Sequence, residues 1–387
     1  TDEKIEMIDI GGPSMIRSAS KNYKFVTTIC SKKFYKTFVD QLNKNNGSTT
    51  LKFREKMAKN NFKETGSYDY NIYNWFSKNK KDHNEKKKIK IKYGENPNQK
   101  AFFIQNTKNN IFNSKINGKQ IGYNNILDIS DGINCLIEFK EPTCVIIKHN
   151  NPCGVASTKN IKKSFLAAYQ ADPISAFGGV VLLNRKIDES LAVTINKNFI
   201  EIIIAPSFTN KALNILKSKK NLIIINSSKL LKEKNTNFRS VNSGTLYQDI
   251  NLLKISSSKI RLVSEKKSSK KTQEDLVFAY KVAKHVKSNA IILAKNKQTL
   301  GIGAGQMSRL DATKVAIMKY KDSFKNKEFV CASDGFFPFT DNIRLLNKHN
   351  CKAVIQPSGS KNDGEVIKYA NKNNVSLYFF ANRVFKH

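Results

Sequence analysis

The sequence predicts a layered α/β fold with mixed sheets, and three observations carry that expectation. Short apolar runs recur along the chain and read as buried strands: Thr143–Ile147, Val180–Leu183, Ile202–Ile204, Leu222–Ile225, Ala290–Ala294, Phe329–Ala332, Ala353–Ile355 and Val375–Phe380. Helical patterns such as Glu274–Val286 and Asp311–Tyr320 separate many of them. Strands this apolar need helices over both faces of their sheet. No repeat of roughly 20–50 residues is visible, which excludes a solenoid.

At 387 residues the chain exceeds the usual size of one domain. Residues 1–76 read as a first α/β unit, with a strand over Phe25–Cys30 and helices over Lys33–Asn43, Thr50–Phe62 and Tyr68–Phe76. The lysine-rich stretch 77–90 reads as an exposed linker, and residues 91–387 as the longer body. No apolar stretch approaches the roughly 20 residues that span a bilayer, and no secretory h-region follows Thr1. The chain starts without Met, so a fragment of a longer protein is expected.

The formal charge is +36, from 67 basic and 31 acidic residues. Concentrated in one arm or helix, such an excess would point to nucleic acid. Here lysine is spread evenly with Asn and Ile, as AT-rich codon usage produces, and reads as a solvated surface. Six cysteines form no CxxC pair, which argues for reduced, buried thiols and against a metal site.

Polar clusters follow the strands, where α/β sheets place their ligands. In Cys144–Gly154 a strand runs straight into Lys148 and His149, a cation and a base, and then into a Pro/Gly turn. A proton shuttle beside an ammonium suits acid–base chemistry, although the bare dipeptide fits a structural His equally well. Gly301–Arg309 has neither the dinucleotide nor the Walker spacing. Its glycines read as a tight turn, with Arg309 projecting into a site. Ser333–Phe339 reads either as core aromatics before a turn or as an acid beside a slot for a flat heterocycle. Lys92–Pro97, Asp172–Gly179 and Gln356–Ser360 fit ordinary turns as well as site loops. The residues alone reach an α/β enzyme with basic, aromatic-lined loops.

Taken together and in order, the blocks IDIGGPSMIRSASKN, KYGENPNQKAFF, YNNILD, CVIIKHNNPCGVA, DPISAFGG, IIIAPSF, VKSNAIILAK, GIGAGQMSR, SDGFFPF, QPSGS and RVFKH closely resemble the bifunctional AICAR transformylase/IMP cyclohydrolase family. They span nearly the whole chain. The resemblance implies that residues 91–387 form a transformylase domain of two cytidine-deaminase-like subdomains. Residues 1–76 would be the C-terminal part of a methylglyoxal-synthase-like cyclohydrolase domain. The implied reaction moves the formyl group of 10-formyltetrahydrofolate to the exocyclic amine of AICAR, giving FAICAR and tetrahydrofolate in purine biosynthesis. Folate acts as co-substrate, with no permanently bound cofactor and no metal. A cytoplasmic homodimer with sites shared across its subunits is implied, with neither nucleic acid nor membrane as partner.

By the same match, His149 handles the proton, Lys148 assists with charge and Asn289 orients the reacting groups. Lys92, Tyr93, Arg309 and Arg383 match nucleotide-binding positions, and Glu201 falls where some relatives carry an acid. Phe336, Asp341 and Asn342 match the block that meets folate. Asp9 and Lys21 match cyclohydrolase positions whose partners are expected upstream of Thr1, so that a full-length parent would also close FAICAR to IMP. Lys92 and Thr340 each stand where Arg is usual, Asn98 replaces a usual His, and Ser243-Gly244 a usual Gly-Gly. Lys92 keeps the charge but loses bidentate phosphate binding, so a weakened activity is expected. A basic nucleic-acid-binding protein, with steep salt dependence and no turnover, is the rival class. A catalytically inactive remnant is the other rival, and retention of Lys148, His149, Asn289 and Arg309 argues against it.

Overall fold

A computed structural model describes residues 2–77, 88–105, 109–228, 230, 237–324 and 327–387. The chain divides into two compact units, residues 1–87 and 88–387.

The first unit holds helices Asp2–Glu6, Gly11–Lys21, Tyr35–Lys44 and Leu51–Ser77, and no strand among its described residues. The expected strand over Phe25–Cys30 does not form. After a turn ending at Phe25 the run is irregular, and side chains of the long helix hold two carbonyls just before it and one within it. Arg54 donates to Tyr23 O and Lys24 O, both at 2.9 Å, and buried Asn61 donates to Thr28 O at 2.9 Å. The two helices expected over residues 50–76 are one. Gly66 sits inside it at a cost of about 1 kcal/mol, too little to break a helix that buries Phe53, Met57 and Ala58. Residues 78–87 of the expected linker lie outside the described residues. Lys88–Ile91 is a strand, antiparallel to Ala101–Ile104.

The second unit is built on a mixed sheet of 12 strands, made of two halves with the same plan. The first half runs from helix Tyr123–Leu136 through the hairpin Thr143–Lys148/Asn151–Ser157 and helix Ile161–Ala171 to strands Gly179–Leu183, Ile200–Ala205 and Ile223–Asn226. The second runs from helix Lys270–Ala283 through the hairpin Ile291–Lys295/Gln298–Gly303 and helix Arg309–Ser323 to strands Phe329–Ser333, Cys351–Pro357 and Ser376–Phe380. In each half the hairpin joins antiparallel to the first of the three strands, and those three are parallel. All eight strands read from the sequence in this body are present. The second strand of each hairpin was not foreseen, since NPCG and GIGAG read as turns.

The glycines explain both omissions. Gly154, Gly301 and Gly303 lie in strands, where a Cβ would stand 2.0, 2.1 and 1.9 Å from the carbonyl oxygens of Ala168, Ala316 and Ala312. They let helices Ile161–Ala171 and Arg309–Ser323 press against the sheet, a close approach of backbones and not a phosphate cradle. Only Gly305, at φ 66°, makes the expected turn.

Alternating side chains separate the faces. Val145, Ile147, Ile292 and Ala294 enter one core with Ile129, Leu276 and Tyr280, shared by both halves. On the other face Cys144 and Ile146 pack with Phe165, whereas Ile291 and Leu293 pack with Ala312 and Ala316 in a separate core. The halves join where Gln298 pairs with Ala156, and buried Thr299 Oγ1 accepts from Val155 N at 2.9 Å and donates to Val155 O at 3.2 Å.

Just beyond helix Tyr123–Leu136, Glu138 meets two residues of the other half: Lys284 Nζ at 2.7 Å and His285 Nε2 at 3.4 Å. Burial by itself would raise the Glu138 carboxyl, but hydrogen bonds and charge from His285 and Lys284 hold it below its ordinary value of 4.5. Burial also holds His285 below 6.5, against the pull of Glu138. In both cases the unfolded chain takes up a proton that the folded chain resists, so stability falls as pH falls. The urea midpoint is expected to drop from about pH 7 to about pH 4. Glu138→Gln should lower it at neutral pH, by leaving Lys284 unpaired, and should flatten the decline around pH 4.5. For packing, Gly303→Ala should cost about 1–3 kcal/mol in urea unfolding. Gly244→Ala, with nothing within 4 Å of the new methyl, should stay within about 0.5 kcal/mol of the parent.

Candidate active site

Lys148 ends its strand with Nζ donating to Phe177 O at 3.1 Å and Gly178 O at 3.0 Å. Those carbonyls come from the Asp172–Gly179 block, whose other parts are structural. Asp172 caps the short helix Pro173–Ala176, accepting from Ser175 N at 3.0 Å, and pairs with Lys319 of the other half. His149 and Asn150 then make a two-residue turn at φ 50° and 63°, above the pair Lys148–Asn151. This left-handed geometry matches the twist of the hairpin strands. The imidazole of His149 is exposed.

Helix Tyr123–Leu136 fixes that turn. Asp128 Oδ1 accepts from Asn150 N at 2.7 Å, and Asp131 Oδ2 accepts from Asn150 Nδ2 at 3.0 Å. Three residues apart, the two carboxylates share one helix face. Burial raises the Asp128 carboxyl above its ordinary value, partly offset by the Asn150 amide and the charge of His149. Nearby Cys153 is no nucleophile at neutral pH, because burial pushes its thiol up to about 12.

The second half meets this turn through Asn151, whose Oδ1 accepts from Lys287 N at 2.9 Å. Two residues on, Asn289 Nδ2 donates to Gln306 O at 2.9 Å and Met307 O at 3.1 Å, while its Oδ1 accepts from Arg309 Nη2 at 2.7 Å. Arg309 Nη1 donates to Ser333 Oγ at 2.8 Å and forms an ion pair with Asp334, which also accepts from Ser288 Oγ at 2.5 Å. Arg309 is 9% exposed and Asp334 0%. The guanidinium therefore does not project openly into a site; its fork aims the Asn289 amide. Asp334 likewise is not the acid of an aromatic slot. Phe337 is core, whereas Phe336 and Phe339 are exposed.

The remaining expected residues lie in several places. Arg383 is exposed, with its guanidinium 4.7 Å from the Phe385 ring centroid. Its tail joins the site: Val384 N donates to Asp334 O at 3.0 Å, and Ser288 N to Lys386 O at 2.9 Å. Lys92 and Tyr93 are exposed in a loop tied to helix Tyr123–Leu136 by Asn124 Nδ2 on Glu95 O at 3.2 Å. Glu201, half-buried in its strand, is paired with Lys119 at 3.1 Å. Asp341 begins helix Asp341–Lys348 beside a groove of about 450 Å3 lined by Phe339, Arg344, Tyr369 and Lys372 among others. Asn342 is 1% exposed, and its Oδ1 accepts from Thr313 Oγ1 at 2.8 Å, so its side chain faces the protein interior. In the first unit Asp9 Oδ1 accepts from Gly12 N at 2.8 Å at the start of helix Gly11–Lys21, with exposed Lys21 at its far end. The helix of 11 residues between them is about 16 Å long.

Sequence reasoning missed Asp128, Asp131, Asn150, Asn151 and Lys386, and the buried role of Asp334. The signal for the first two lay at the end of the YNNILD block and three residues beyond it, carboxylates three apart on a helix; the others act through tertiary contacts. Among the described residues no group of three or more His, Cys, Asp or Glu is arranged to hold a metal ion. Chemically, the junction offers an exposed imidazole, an ammonium anchored on two carbonyls and a clamped carboxamide. That set can move a proton and steady a developing negative charge.

Residues 19–319 match the family described as AICARFT/IMPCHase bienzyme. The bifunctional purine biosynthesis protein PurH of Caldicellulosiruptor bescii is 43% identical over 403 aligned residues, covering 100% of this chain and 77% of the relative. The protein of the same name from Thermoanaerobacter sp. (strain X514) is 43% identical over 396, with the same coverage. That from Wigglesworthia glossinidia brevipalpis is 41% identical over 407, covering 99% of this chain and 77% of its own length. A match of this extent establishes that the chain belongs to the AICAR transformylase/IMP cyclohydrolase family.

Proposed function

We propose that this protein acts in purine biosynthesis by transferring the formyl group of 10-formyltetrahydrofolate to AICAR. The observation that carries the reading is the hairpin turn that holds His149 exposed beside Lys148, next to the segment that clamps Asn289. The exocyclic amine of AICAR is a weak nucleophile, its lone pair being delocalised toward the carboxamide. Attack on the formyl carbon therefore needs a base to take the amine proton as the N–C bond forms, and His149 is that base. Two of the three N–H donors of Lys148 are held by Phe177 O and Gly178 O, leaving one for the tetrahedral oxyanion or the departing folate nitrogen. Asn289 orients the reacting groups, and Arg309 orients Asn289.

Lys92, Tyr93 and Arg383 take the nucleotide phosphate in this reading, with Glu201 on the same substrate. Phe336 and Asp341 meet the folate, and the groove beside Thr340 is its approach. Asn342 supports Asp341 from inside: its Nδ2 donates to Asp341 Oδ1 at 2.9 Å. The two halves of the large sheet correspond to the family's cytidine-deaminase-like subdomains, so that residues 91–387 are the transformylase domain, working as a cytoplasmic homodimer. Residues 1–76 belong to the methylglyoxal-synthase-like cyclohydrolase domain, and Asp9 and Lys21 serve closure of FAICAR to IMP together with residues of a longer parent.

The decisive experiment follows tetrahydrofolate release on mixing protein, AICAR and 10-formyltetrahydrofolate. Turnover is expected, and His149→Ala should lower kcat about 10²–10⁴-fold. A folded protein without turnover would sink the reading in favour of an inactive remnant. Arg309→Lys, which keeps the charge but loses the fork, should cut kcat about tenfold or more while Asn289 loses its aim. An unchanged kcat there would remove Arg309 from the chain of support.

A further inference from the structure

The ammonium of Lys386 touches three separate elements that converge behind the His149 turn. Its Nζ lies 3.1 Å from Asp131 Oδ1, and donates to Asn150 O at 3.2 Å and to His285 O at 3.2 Å. Those acceptors belong to the first helix of one half, the hairpin turn itself, and the segment that leads from helix Lys270–Ala283 to Asn289. The same residue's carbonyl accepts from Ser288 N at 2.9 Å, next to Asn289. With Asp128 and Asp131 already holding the N–H and the side chain of Asn150, Lys386 holds the Asn150 carbonyl, while His149 O accepts from Asn151 Nδ2 at 3.3 Å.

The duplicated half sharpens the contrast. Its turn, Asn296-Lys297 at φ 53° and 54°, is held by one carboxylate, Asp275, which accepts from Asn296 N at 2.8 Å and Lys297 N at 2.7 Å. There Lys297 is bound to Glu141 and Glu274 at 3.3 and 3.2 Å, as a structural cation. Both turns are thus gripped by carboxylates, and the turn that carries His149 adds a cation from the far end of the chain.

Resting on the transformylase reading, we infer that Lys386 is a positioning residue for the reaction. It fixes the His149-Asn150 turn against Asp131 and ties it to the Ser288-Asn289 segment, so that imidazole and carboxamide keep one mutual geometry. It touches the reacting atoms in no step. Its charge matters because three acceptors, one of them a carboxylate, share it, and a neutral side chain would leave Asp131 half-buried without its cation.

The test compares the full protein with Lys386→Met and Lys386→Arg. Displacement of a catalytic group by about 1 Å costs on the order of 10²-fold, so Lys386→Met should lower kcat by about that factor with KM for AICAR changed less than about twofold. Lys386→Arg, which keeps charge and reach, should recover kcat to within about tenfold of the parent. Independently of turnover, the Asn150 amide, protected by Asp128, should exchange with deuterium at least about tenfold faster in Lys386→Met, at a denaturation midpoint near the parent's. Unchanged amide exchange overturns the inference, whether or not the protein turns over. So does a Lys386→Met variant with parental kcat, or one whose KM rises while kcat holds. Absence of turnover in the parent itself counts against the transformylase reading, and the exchange experiment then still decides the role of Lys386 in the turn.

Discussion

Two consecutive residues at positive φ are most easily borne by Gly, are uncommon for any other residue, and suit Asn, Asp and His better than Lys. The large unit places such pairs at the tips of both central hairpins, His149-Asn150 and Asn296-Lys297. In each case the backbone is held by carboxylates from the helix that precedes the hairpin: Asp128 in one half and Asp275 in the other, with Asp131 on the Asn150 side chain. Exposing a base at a sharp turn requires that the turn not relax, and half-buried acids aimed at its amides provide that rigidity. The helices that carry those acids, Tyr123–Leu136 and Lys270–Ala283, pack on the face of the sheet whose core both halves share.

A strongly basic chain spends its few acids accordingly. With 31 carboxylates against 67 cations, those drawn into the interior serve joints between elements. Asp334 holds Arg309, Glu138 holds Lys284 and His285, and Asp172 holds Lys319. The excess of lysine lies outside these joints.

The apolar runs of the large body were legible because burial on both faces of a sheet leaves an unbroken signature in the sequence. The second strand of each hairpin was not, because Gly154, Gly301 and Gly303 answer to helix backbones that are remote in sequence. In the first unit the strand over Phe25–Cys30 failed for a related reason. An apolar run becomes a strand only beside a partner, and here Asn61 takes the Thr28 carbonyl instead while Arg54 fixes the turn that leads into the run. Of the site, the pair Lys148-His149 stood out as chemistry at a strand end and Arg309 as a cation after a glycine-rich stretch, whereas Asn289 came through resemblance. That Arg309 faces inward toward Asp334, and that Lys386 reaches Asn150 from 236 positions away, depends on three-dimensional closure that no local pattern encodes.

The shared core on one face of the sheet sets how the large unit can come apart. On the opposite face each half has its own helices and its own core, as independent domains would. On the shared face, residues from Ile121 to Val384 form one continuous apolar body. Two copies of one plan have thus become a single cooperative unit. Opening either half bares the other's inner face to water, and the free energy of that exposure couples the hairpin that carries His149 to the segment that carries Asn289. The junction is kept intact by the stability of the whole unit, beyond what its own hydrogen bonds contribute.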